Sequence, residues 1–381
     1  MSEETMPGFA GLGLFTGASQ VDNFCRMAEL VPSVAMAPST RPRPWPTGVP
    51  IQAPATFEVL GETRSFEEAF VGAETAALLV LHRGEIRYER YALTGGPDVA
   101  WISMSVAKSF VSALVGIAIA EGCIAGIDDP ISDYIVVRPG SAYDGVTIRH
   151  VLQMSSGARW SEDYSDPTSD ALRLADAMSG HGSLEEFVAS MSRELTPGTV
   201  CRYNSGDTQA LGLLLVRATG RSLGDYMQEK LCEPLGFTSP GAWLTDGSGM
   251  EAAFACLTLT ARDFARLGEL YRLGGRVGDV QVVPERWVSD SVVDSAPPLE
   301  AVPGLDEPPV GYGYQWWIPQ GSGGEFTAIG VYNQFVYVDP AREVVIVKLS
   351  ANRAYGTSAE EADNREDETI ELLRALAGQV D

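Results

Sequence analysis

Histidine and cysteine are scarce in this chain of 381 residues, which contains three histidines and five cysteines. His82, His150 and His181 lie far apart, and none belongs to a His-x-x-x-His pair of the kind that binds zinc on a helix. The cysteines show no paired spacing, which argues against a disulfide framework and against a zinc site. The composition therefore predicts a protein with reduced thiols and with no metal or other cofactor.

Positive charge and long apolar runs are also lacking. The formal net charge is −24 at pH 7, whereas nucleic acids and anionic membranes are bound through clustered lysine and arginine. The first residues, MSEETMPG, carry acidic side chains where a signal peptide needs basic ones. The most apolar segment, residues 101–122, is interrupted by polar side chains well short of a membrane span. We therefore expect a cytoplasmic protein with a small-molecule substrate and no nucleic-acid or membrane partner, and a homodimer is left open.

The chain contains only three lysines, and one of them lies three residues after a serine. Lys108 follows Ser105 at the start of an apolar segment, FVSALVGIAIA, that predicts a helix. Residues three apart share one helix face, and burial against such a helix lowers the pKa of a lysine amine toward that of a usable base. The N–H groups of the first helical turn would favour an oxyanion beside Ser105. The pair predicts a serine nucleophile with a lysine base, although Ser-x-x-Lys alone is a loose pattern.

Hydrophobic patterns divide the chain into three parts. Residues 1–60 are rich in proline and glycine and predict an irregular arm over the core. Residues 61–130 and 255–381 contain β-rich runs, including a hairpin that turns at Arg83 and Gly84, and predict one antiparallel sheet with flanking helices. Residues 131–254 have apolar side chains at three- and four-residue intervals and predict an inserted all-helical domain. The expected fold class is α+β.

A second proton-handling group is expected near the Ser–Lys pair, and Tyr203 is the candidate. Tyr203, Asn204 and Ser205 follow a Pro–Gly turn and precede a helical pattern, so they lie on a loop whose side chains can face a cleft. A phenol beside a lysine ammonium can carry a proton, since the cation favours the ionised form of the phenol. Alternatively, Tyr203 packs against the helical domain and Ser205 caps the next helix.

An oxyanion formed at Ser105 needs two N–H donors. The Ser105 N–H is one candidate, and the strand-like segment 326–334 offers the Val331 N–H as the second. Gly330 would let this segment approach the substrate closely, because it carries no side chain. Alternatively, Gly330 permits a β-bulge that has no role in the chemistry.

One further motif points to a different nucleophile. Residues 220–224 read Gly-x-Ser-x-Gly, the nucleophile elbow of α/β-hydrolases, which requires a strand before the serine and a helix after it. Here a helical pattern precedes Ser222, and Ser222 is placed to cap the helix that follows. We therefore expect no nucleophile elbow.

Three motifs, in this order, resemble the serine β-lactamase and penicillin-binding superfamily: Ser105-Val106-Ala107-Lys108, Tyr203-Asn204-Ser205 and Ala328-Ile329-Gly330. The surrounding segments HVLQMSSGARWSEDYSDP, YNSGDTQALG and VYNQFVYVDP are similar to those of 6-aminohexanoate-dimer hydrolases and related carboxylesterases with a class C β-lactamase-type fold. The resemblance covers most of the chain from about residue 75 onward. It implies a β-lactamase/transpeptidase-like fold.

The resemblance also implies a role for each matched residue. Ser105 would be the acylated nucleophile, Lys108 its base, and Tyr203 the second acid/base, which protonates the leaving group and activates the deacylating water. The N–H groups of Ser105 and Val331 would form the oxyanion hole. Tyr164 would close over the substrate. The remaining residues expected to bind substrate are Trp160, Ser205, Ile329, Gly330 and, for a substrate ammonium, Asp166 and Asp170.

Two departures from the β-lactamase pattern bear on the substrate. Ala328 and Ile329 stand where those enzymes have lysine and threonine, so the charge that recognises a β-lactam or peptide carboxylate is missing. Ser205 stands where class C enzymes have asparagine. We therefore expect an acyl-enzyme formed from short-chain carboxylic esters, and from small linear amides such as 6-aminohexanoate dimers. The alternatives are a D-amino-acid peptidase or β-lactamase, and a non-catalytic penicillin-recognising sensor or binding module.

Overall fold

The computed structural model describes residues 9–300, 310–321, 323–358 and 360–380. Its strands, numbered along the chain, are β1 (Ser33–Met36), β2 (Thr56–Val59), β3 (Glu62–Ser65), β4 (Thr75–His82), β5 (Glu85–Tyr91), β6 (Trp101–Ile102), β7 (Gly241–Leu244), β8 (Leu257–Leu259), β9 (Arg276–Val277), β10 (Val280–Gln281), β11 (Val310–Tyr312), β12 (Trp317–Pro319), β13 (Phe326–Gly330), β14 (Gln334–Asp339) and β15 (Val344–Ser350). Its helices are α1 (Val21–Phe24), α2 (Met27–Leu30), α3 (Phe66–Gly72), α4 (Ala107–Ala120), α5 (Ile148–Leu152), α6 (Asp170–Ala177), α7 (Leu184–Ser190), α8 (Ser205–Thr219), α9 (Leu223–Met227), α10 (Glu233–Leu235), α11 (Ala261–Arg272), α12 (Glu285–Ser291), α13 (Glu361–Asn364) and α14 (Glu366–Ala377).

The central sheet joins two distant parts of the chain. Its strand order is β11-β12-β13-β14-β15-β4-β5, and neighbouring strands are antiparallel. The late strand β15 pairs with the early strand β4. The β4–β5 hairpin turns at Arg83 and Gly84, whose φ angles of 55° and 74° suit a two-residue turn. The prediction of one antiparallel sheet built from both ends of the chain is confirmed.

Helices cover both faces of this sheet. Strands β4 and β15 are buried along their whole length, as expected for continuous apolar runs. Leu79 and Val347 belong to the larger hydrophobic core, which includes helices α4 and α11. Leu78 and Ile346 belong to a smaller core on the opposite face, with helices α3 and α14. The predicted α+β class is therefore confirmed, with the sheet as the middle layer.

A second sheet, ordered β1-β7-β8-β6, lies where the chain enters and leaves the predicted helical region. Strand β1 comes from the predicted arm and pairs with β7, and β2 of the arm pairs with β3. The expectation of a wholly irregular arm is therefore wrong for these two strands, since their partners lie outside the arm. Residues 1–8 of the arm lie outside the described residues. Strand β6 leads into Ser105, so this small sheet helps to position the site.

Residues 131–254 are mainly helical. Thr147, Ser169, Ser183 and Ser222 cap helices α5, α6, α7 and α9, each by accepting a hydrogen bond from a backbone N–H of the first turn. Ser222 thus caps α9 and follows helix α8 rather than a strand, which excludes the nucleophile elbow. The segment also contains β7, so the prediction of an all-helical domain is wrong there, because a four-residue run is too short to reveal its period.

Helix α4 runs through the larger core behind Ser105. Twelve of its 14 residues are buried, but it is shorter than the roughly 20 residues that a bilayer requires. None of the helices in the described part of the chain is both long and apolar enough to cross a membrane.

Candidate active site

Ser105 lies between strand β6 and helix α4. The preceding Ser103 is tied to strand β8, because its N–H donates to the Leu257 carbonyl at 2.7 Å and its hydroxyl accepts from the Leu257 N–H at 3.1 Å. Met104 has a positive φ of 45°, which a non-glycine residue keeps only where its surroundings impose it. Ser105 lies in the 3-10 turn Met104–Val106, which leads directly into helix α4 at Ala107; the sequence predicted that the helix begins at Ser105 itself.

Lys108 is almost completely buried and directed toward Ser105. Its Nζ lies 3.0 Å from Ser105 Oγ, 3.1 Å from Ser205 Oγ and 2.6 Å from the Phe254 carbonyl oxygen. Burial lowers the pKa of this amine to about 7, and the charge of Glu162 partly opposes that change. A substantial fraction of the amine is therefore neutral near pH 7.

The neutral form of Lys108 suits proton transfer from Ser105. A neutral amine has two N–H donors and one lone pair. If the two donors serve Ser205 Oγ and the Phe254 carbonyl, the lone pair is directed at the Ser105 hydroxyl proton. The three contacts therefore match the hydrogen-bonding capacity of a lysine that acts as a base.

Tyr203 contacts the same serine from the loop before helix α8. Tyr203 and Ser105 border the same cavity, the Ser105 hydroxyl acts to lower the pKa of the phenol, and Lys108 Nζ lies 5.1 Å from the centre of the Tyr203 ring. Its ring stacks on Trp317 with a centroid distance of 5.1 Å. Burial, followed by the charge of Glu162, raises the pKa of this phenol well above its usual value. The expected ionised form is therefore disfavoured, and the phenol can donate a proton and can pass one on.

The cap of helix α8 holds this loop. The Asn204 side-chain oxygen accepts hydrogen bonds from the N–H groups of Gly206 and Asp207 at 2.8 and 3.3 Å, and its amide donates to Asp207 Oδ1 at 3.1 Å. Asn204 is therefore the N-cap, and the alternative that Ser205 caps this helix is wrong. Ser205 is instead the first helical residue, and its hydroxyl is free to face Lys108.

Glu162 belongs to the same cluster and was not anticipated from the sequence. Its Oε1 accepts hydrogen bonds from the Tyr164 hydroxyl at 2.8 Å and from the Ser205 hydroxyl at 3.4 Å, and its Oε2 accepts from the Trp160 indole. Burial raises the pKa of this carboxyl, while the charge of Lys108 opposes the rise. Glu162 lies in the segment WSEDY, between Trp160 and Tyr164, the two residues that the family resemblance assigns to the substrate pocket. An acid beside two expected pocket residues was the signal that could have identified it.

Trp160 and Tyr164 both donate hydrogen bonds to Glu162, but they differ in their position relative to the cavities. Trp160 is buried and donates its indole N–H to Glu162, but it does not border the cavities described below. Tyr164 borders both cavities, and its ring stacks on Phe15 with a centroid distance of 3.9 Å. The structure therefore places Tyr164 beside Ser105 and Trp160 behind Glu162.

Gly330 brings strand β13 against the backbone of Ser105. A Cβ atom at residue 330 would lie 2.9 Å from Ser105 N and 2.7 Å from the Ser103 carbonyl oxygen, so no side chain fits there. The pairing of β13 with β14 runs without a shift from Phe326 to Gly330, so the alternative of a β-bulge is wrong. Val331 follows Gly330 and borders both cavities beside Ser105, as an oxyanion donor would need to do.

Two cavities meet at Ser105. The first, the apolar cavity, has a volume of about 490 Å³ and is bordered by Leu14, Phe15, Met104 and Leu172, among others. The second, the aromatic cavity, has a volume of about 320 Å³ and is bordered by aromatic and acidic side chains together with the predicted Ile329. Its aromatic and acidic side chains include Tyr203, Trp317, Tyr355, Glu366 and Asp367. Ser105, Glu162, Tyr164 and Val331 border both cavities.

The two aspartates expected to meet a substrate ammonium do not border either cavity. Asp166 is exposed and accepts hydrogen bonds from Thr168. Asp170 is buried at the start of helix α6, where it pairs with Arg159 at 3.3 Å and Arg173 at 3.0 Å. Both therefore organise their own loop. Asp176, further along the same helix, borders the apolar cavity instead.

In the described ranges, no group of three or more histidine, cysteine, aspartate or glutamate side chains is arranged to hold a metal ion. The side chains gathered at Ser105 are a hydroxyl, an amine, a phenol and a carboxylate. Together they supply a nucleophile and the proton-transfer groups that the formation and cleavage of an ester at Ser105 require.

Comparisons with known proteins find relatives in sequence and in fold. The chain is 29% identical over 338 residues to the 6-aminohexanoate-dimer hydrolase of Paenarthrobacter ureafaciens, covering 86% of this chain and 84% of that protein. A solved structure from Bacillus anthracis, provisionally identified as a 6-aminohexanoate-dimer hydrolase, superposes with a TM-score of 0.82 at 23% identity, covering 95% of this chain and 96% of that one. The hydrolase EstCE1, which has promiscuous acyltransferase activity, superposes with a TM-score of 0.59 at 16% identity, over 80% of this chain and 98% of that one.

Residues 63–370 match the beta-lactamase family. This range includes Ser105, Lys108, Tyr203 and Gly330, and it leaves out the whole N-terminal arm, residues 1–60. From this match, we conclude that the chain belongs to the beta-lactamase family and is a serine hydrolase of that fold.

Proposed function

We propose that this protein hydrolyses short-chain carboxylic esters, and small linear amides such as 6-aminohexanoate dimers, through an acyl-enzyme at Ser105. The observation that carries the proposal is the convergence on Ser105 Oγ of the Lys108 amine at 3.0 Å and the Tyr203 hydroxyl. Both cavities open at this hydroxyl, which gives room for the acyl group and for the leaving group.

Acylation begins when Ser105 Oγ attacks the substrate carbonyl carbon and Lys108 takes the hydroxyl proton. The N–H groups of Ser105 and Val331 stabilise the oxyanion of the tetrahedral intermediate. When the intermediate collapses, the bond to the leaving group breaks. Tyr203 gives its proton to the departing oxygen or nitrogen and recovers a proton from Lys108. The acyl group is then an ester of Ser105.

Deacylation uses the same groups in reverse. Water attacks the acyl carbon, and its proton passes through Tyr203 to Lys108 and then to Ser105 Oγ as the ester bond breaks. The products are the free acid and the free enzyme. The high pKa of Tyr203 supports a role as a proton donor and relay, because the phenol is held protonated at neutral pH.

Three observations support esters and linear amides over β-lactams. The strand beside Ser105 carries Ala328 and Ile329, so no ammonium on that strand can pair with a substrate carboxylate. The relative from Paenarthrobacter ureafaciens is named for cleavage of a linear amide dimer. Tyr164 borders both cavities beside Ser105, where it can hydrogen-bond the amide nitrogen that must leave.

The proposal is tested by replacing the nucleophile. Ser105→Ala should abolish turnover of p-nitrophenyl acetate and butyrate while the circular dichroism spectrum and melting temperature stay close to those of the parent. Ser112→Ala, two turns further along helix α4, is the matched control and should retain activity. Turnover by the Ser105→Ala protein would refute the assignment.

A fluorophosphonate probe separates an enzyme from a non-catalytic binding module. The parent protein should gain the mass of one probe molecule less HF, because fluoride leaves as Ser105 Oγ bonds to phosphorus; the adduct should lie on the peptide that contains Ser105, and the Lys108→Arg variant should not form it. Absence of labelling in the parent would favour the sensor alternative. Hydrolysis of nitrocefin at a rate comparable to that of the esters would favour the β-lactamase alternative.

A further inference from the structure

The N-terminal arm supplies one wall of the cavity beside Ser105. Gly13, Leu14, Phe15 and Thr16 all border the apolar cavity, although they lie about 90 residues before the nucleophile and outside the segment that matches the family. This wall lies outside the segments that carry the Ser–Lys–Tyr cluster, and it borders the cavity without supplying a reacting group. It is therefore a place where substrate selectivity can be set.

Phe15 contacts two parts of the site that the proposed reaction requires to be fixed in position: Tyr164 and the turn that carries Val331. Its ring stacks on Tyr164 with an interplanar angle of 12°, and its N–H donates to the Tyr332 hydroxyl at 2.7 Å. Tyr164 contacts Glu162, which links through Ser205 to Lys108. Tyr332 follows Val331 directly in the turn between β13 and β14. One residue of the arm thus contacts both the tyrosine over the cavities and the turn that carries the oxyanion donor.

The surrounding structure fixes the position of Phe15. Its φ angle is 61°, a left-handed conformation that costs about 1 kcal/mol or more and persists only when neighbouring contacts require it. Close behind it, Gln20 is completely buried and donates to the Leu12 carbonyl at 2.8 Å. Gly356 packs closely against the ring of Phe15, since a Cβ atom there would lie 2.6 Å from Phe15 and 3.3 Å from Tyr164.

We propose that Phe15 is a positioning and specificity-determining residue of this hydrolase: it fixes Tyr164 and the Val331 turn, and its ring limits the acyl chain that the apolar cavity accepts. This inference rests on the proposed function, since it assigns the apolar cavity to the acyl group. Phe15 acts through Tyr164 and through the size of the cavity, and it takes part in no bond-making step.

The test compares Phe15→Ala, Phe15→Tyr and Leu30→Ala. Leu30 lies in helix α2 of the same arm and packs against the core without bordering either cavity, so Leu30→Ala controls for loss of apolar packing in the arm. For each protein, kcat and KM are measured with p-nitrophenyl acetate, butyrate and octanoate. Labelling of Ser105 by the fluorophosphonate probe is measured in parallel.

Removal of the ring should change the preference for chain length. Phe15→Ala should raise the octanoate-to-butyrate ratio of kcat/KM by about tenfold, because space for roughly two further methylene groups becomes available. It should also lower kcat for acetate by about tenfold, through the loss of stacking on Tyr164. Phe15→Tyr should restore both values to near those of the parent, and Leu30→Ala should leave both unchanged.

The outcomes distinguish this inference from the proposed function. If the parent is not labelled at Ser105, the proposed function itself fails. If the parent and Phe15→Ala are labelled equally but share one chain-length preference, the inference is wrong and the hydrolase assignment survives. An equal shift in Leu30→Ala would also overturn it. If Phe15→Ala does not fold, Phe15→Leu keeps the apolar bulk, and an acetate kcat equal to that of the parent would contradict the role of stacking.

Discussion

Burial lowers the pKa of two lysines in this protein, Lys108 and Lys348, to about 7. Only Lys108 lies at the proposed active site. Lys348 on strand β15 is buried like Lys108, and it also donates to a serine hydroxyl, that of Ser350 at 2.8 Å. It borders neither cavity at Ser105. A depressed pKa and a serine neighbour are therefore insufficient for a catalytic assignment. What distinguishes Lys108 is that its serine also meets Tyr203 and opens to two cavities.

The pH dependence of the reaction should follow the charge on Lys108. Only the neutral amine can take the Ser105 proton, so the active fraction increases as pH rises through the pKa of about 7. We expect kcat/KM for p-nitrophenyl butyrate to rise about tenfold per pH unit on the acidic side and to level off above about pH 8. Lys108→Arg cannot supply a neutral base in this range and should lose activity by about 10³-fold. A flat profile in the parent protein would contradict this role.

Glu162→Gln tests the same titration from a neighbouring residue. The negative charge of Glu162 raises the Lys108 pKa against the larger effect of burial, so removing the charge should lower that pKa further. The midpoint of the acidic limb should therefore move to lower pH by about half a unit to one unit. The plateau rate should also fall, because the glutamine amide nitrogen cannot accept a hydrogen bond as the carboxylate oxygen does. A midpoint that stays in place would show that the two charges are not coupled.

Most helices and strands could be predicted from the sequence, because their apolar periods are regular and their turns carry suitable residues. The hairpin at Arg83 and Gly84 and the cap at Ser222 are examples. Elements that depend on a distant partner were missed. Strand β7 takes its pairing from β1 and β8, and the 3-10 turn at Ser105 depends on the link between Ser103 and Leu257.

The site residues also divide into those that a local sequence motif indicates and those that only contacts in the folded protein reveal. Ser105, Lys108, Tyr203 and Val331 were reachable because each lies in a recognisable motif. Phe15 was not, since its role arises from a contact across the fold with Tyr164. Glu162 was missed although it lies two residues before Tyr164, because only the fold shows that its carboxylate reaches Ser205 and acts on the charge of Lys108. Asp166 and Asp170 looked available in the sequence, but local hydrogen bonds and arginine partners occupy them.

Strand β13 should tolerate no side chain at its end. In Gly330→Ala, the new Cβ would lie 2.9 Å from Ser105 N and 2.7 Å from the Ser103 carbonyl oxygen, both of which are backbone atoms. The strand and the serine turn must then separate, which moves the two proposed oxyanion donors apart. We expect kcat to fall by about 10²- to 10³-fold, with a smaller effect on KM.

Gly247→Ala is the matched control for this variant, because a Cβ atom there meets no atom within 4 Å. It should keep the parent activity and melting temperature. Parent-like kcat in Gly330→Ala would mean that the close approach of β13 to Ser105 has no bearing on the oxyanion.

At the scale of the whole molecule, the long pairing of β15 with β4 explains how one site can draw on remote segments. The sheet brings the end of β13 against the backbone turn that carries Ser105, and residues of the arm border the apolar cavity beside it. Residues 15, 105, 162, 203 and 331 thus surround one hydroxyl although they span most of the chain. Neither cavity exists within any single segment, which is why sequence periodicity could not predict them.

The net charge of −24 should favour cationic over anionic substrates. The aromatic cavity adds the carboxyl groups of Glu366 and Asp367 at its border, so acidic groups lie beside the site as well as over the surface. A negative potential raises the rate of encounter with cations, and salt suppresses that effect.

The prediction can be tested with p-nitrophenyl 6-aminohexanoate and p-nitrophenyl hexanoate, which form a matched pair because they differ only in a terminal ammonium. Between about 10 mM and about 1 M sodium chloride, where the Debye length falls about tenfold, kcat/KM should drop severalfold for the cationic ester and stay nearly constant for the neutral one. An equal response of the two esters would indicate that the charge of the protein serves solubility alone.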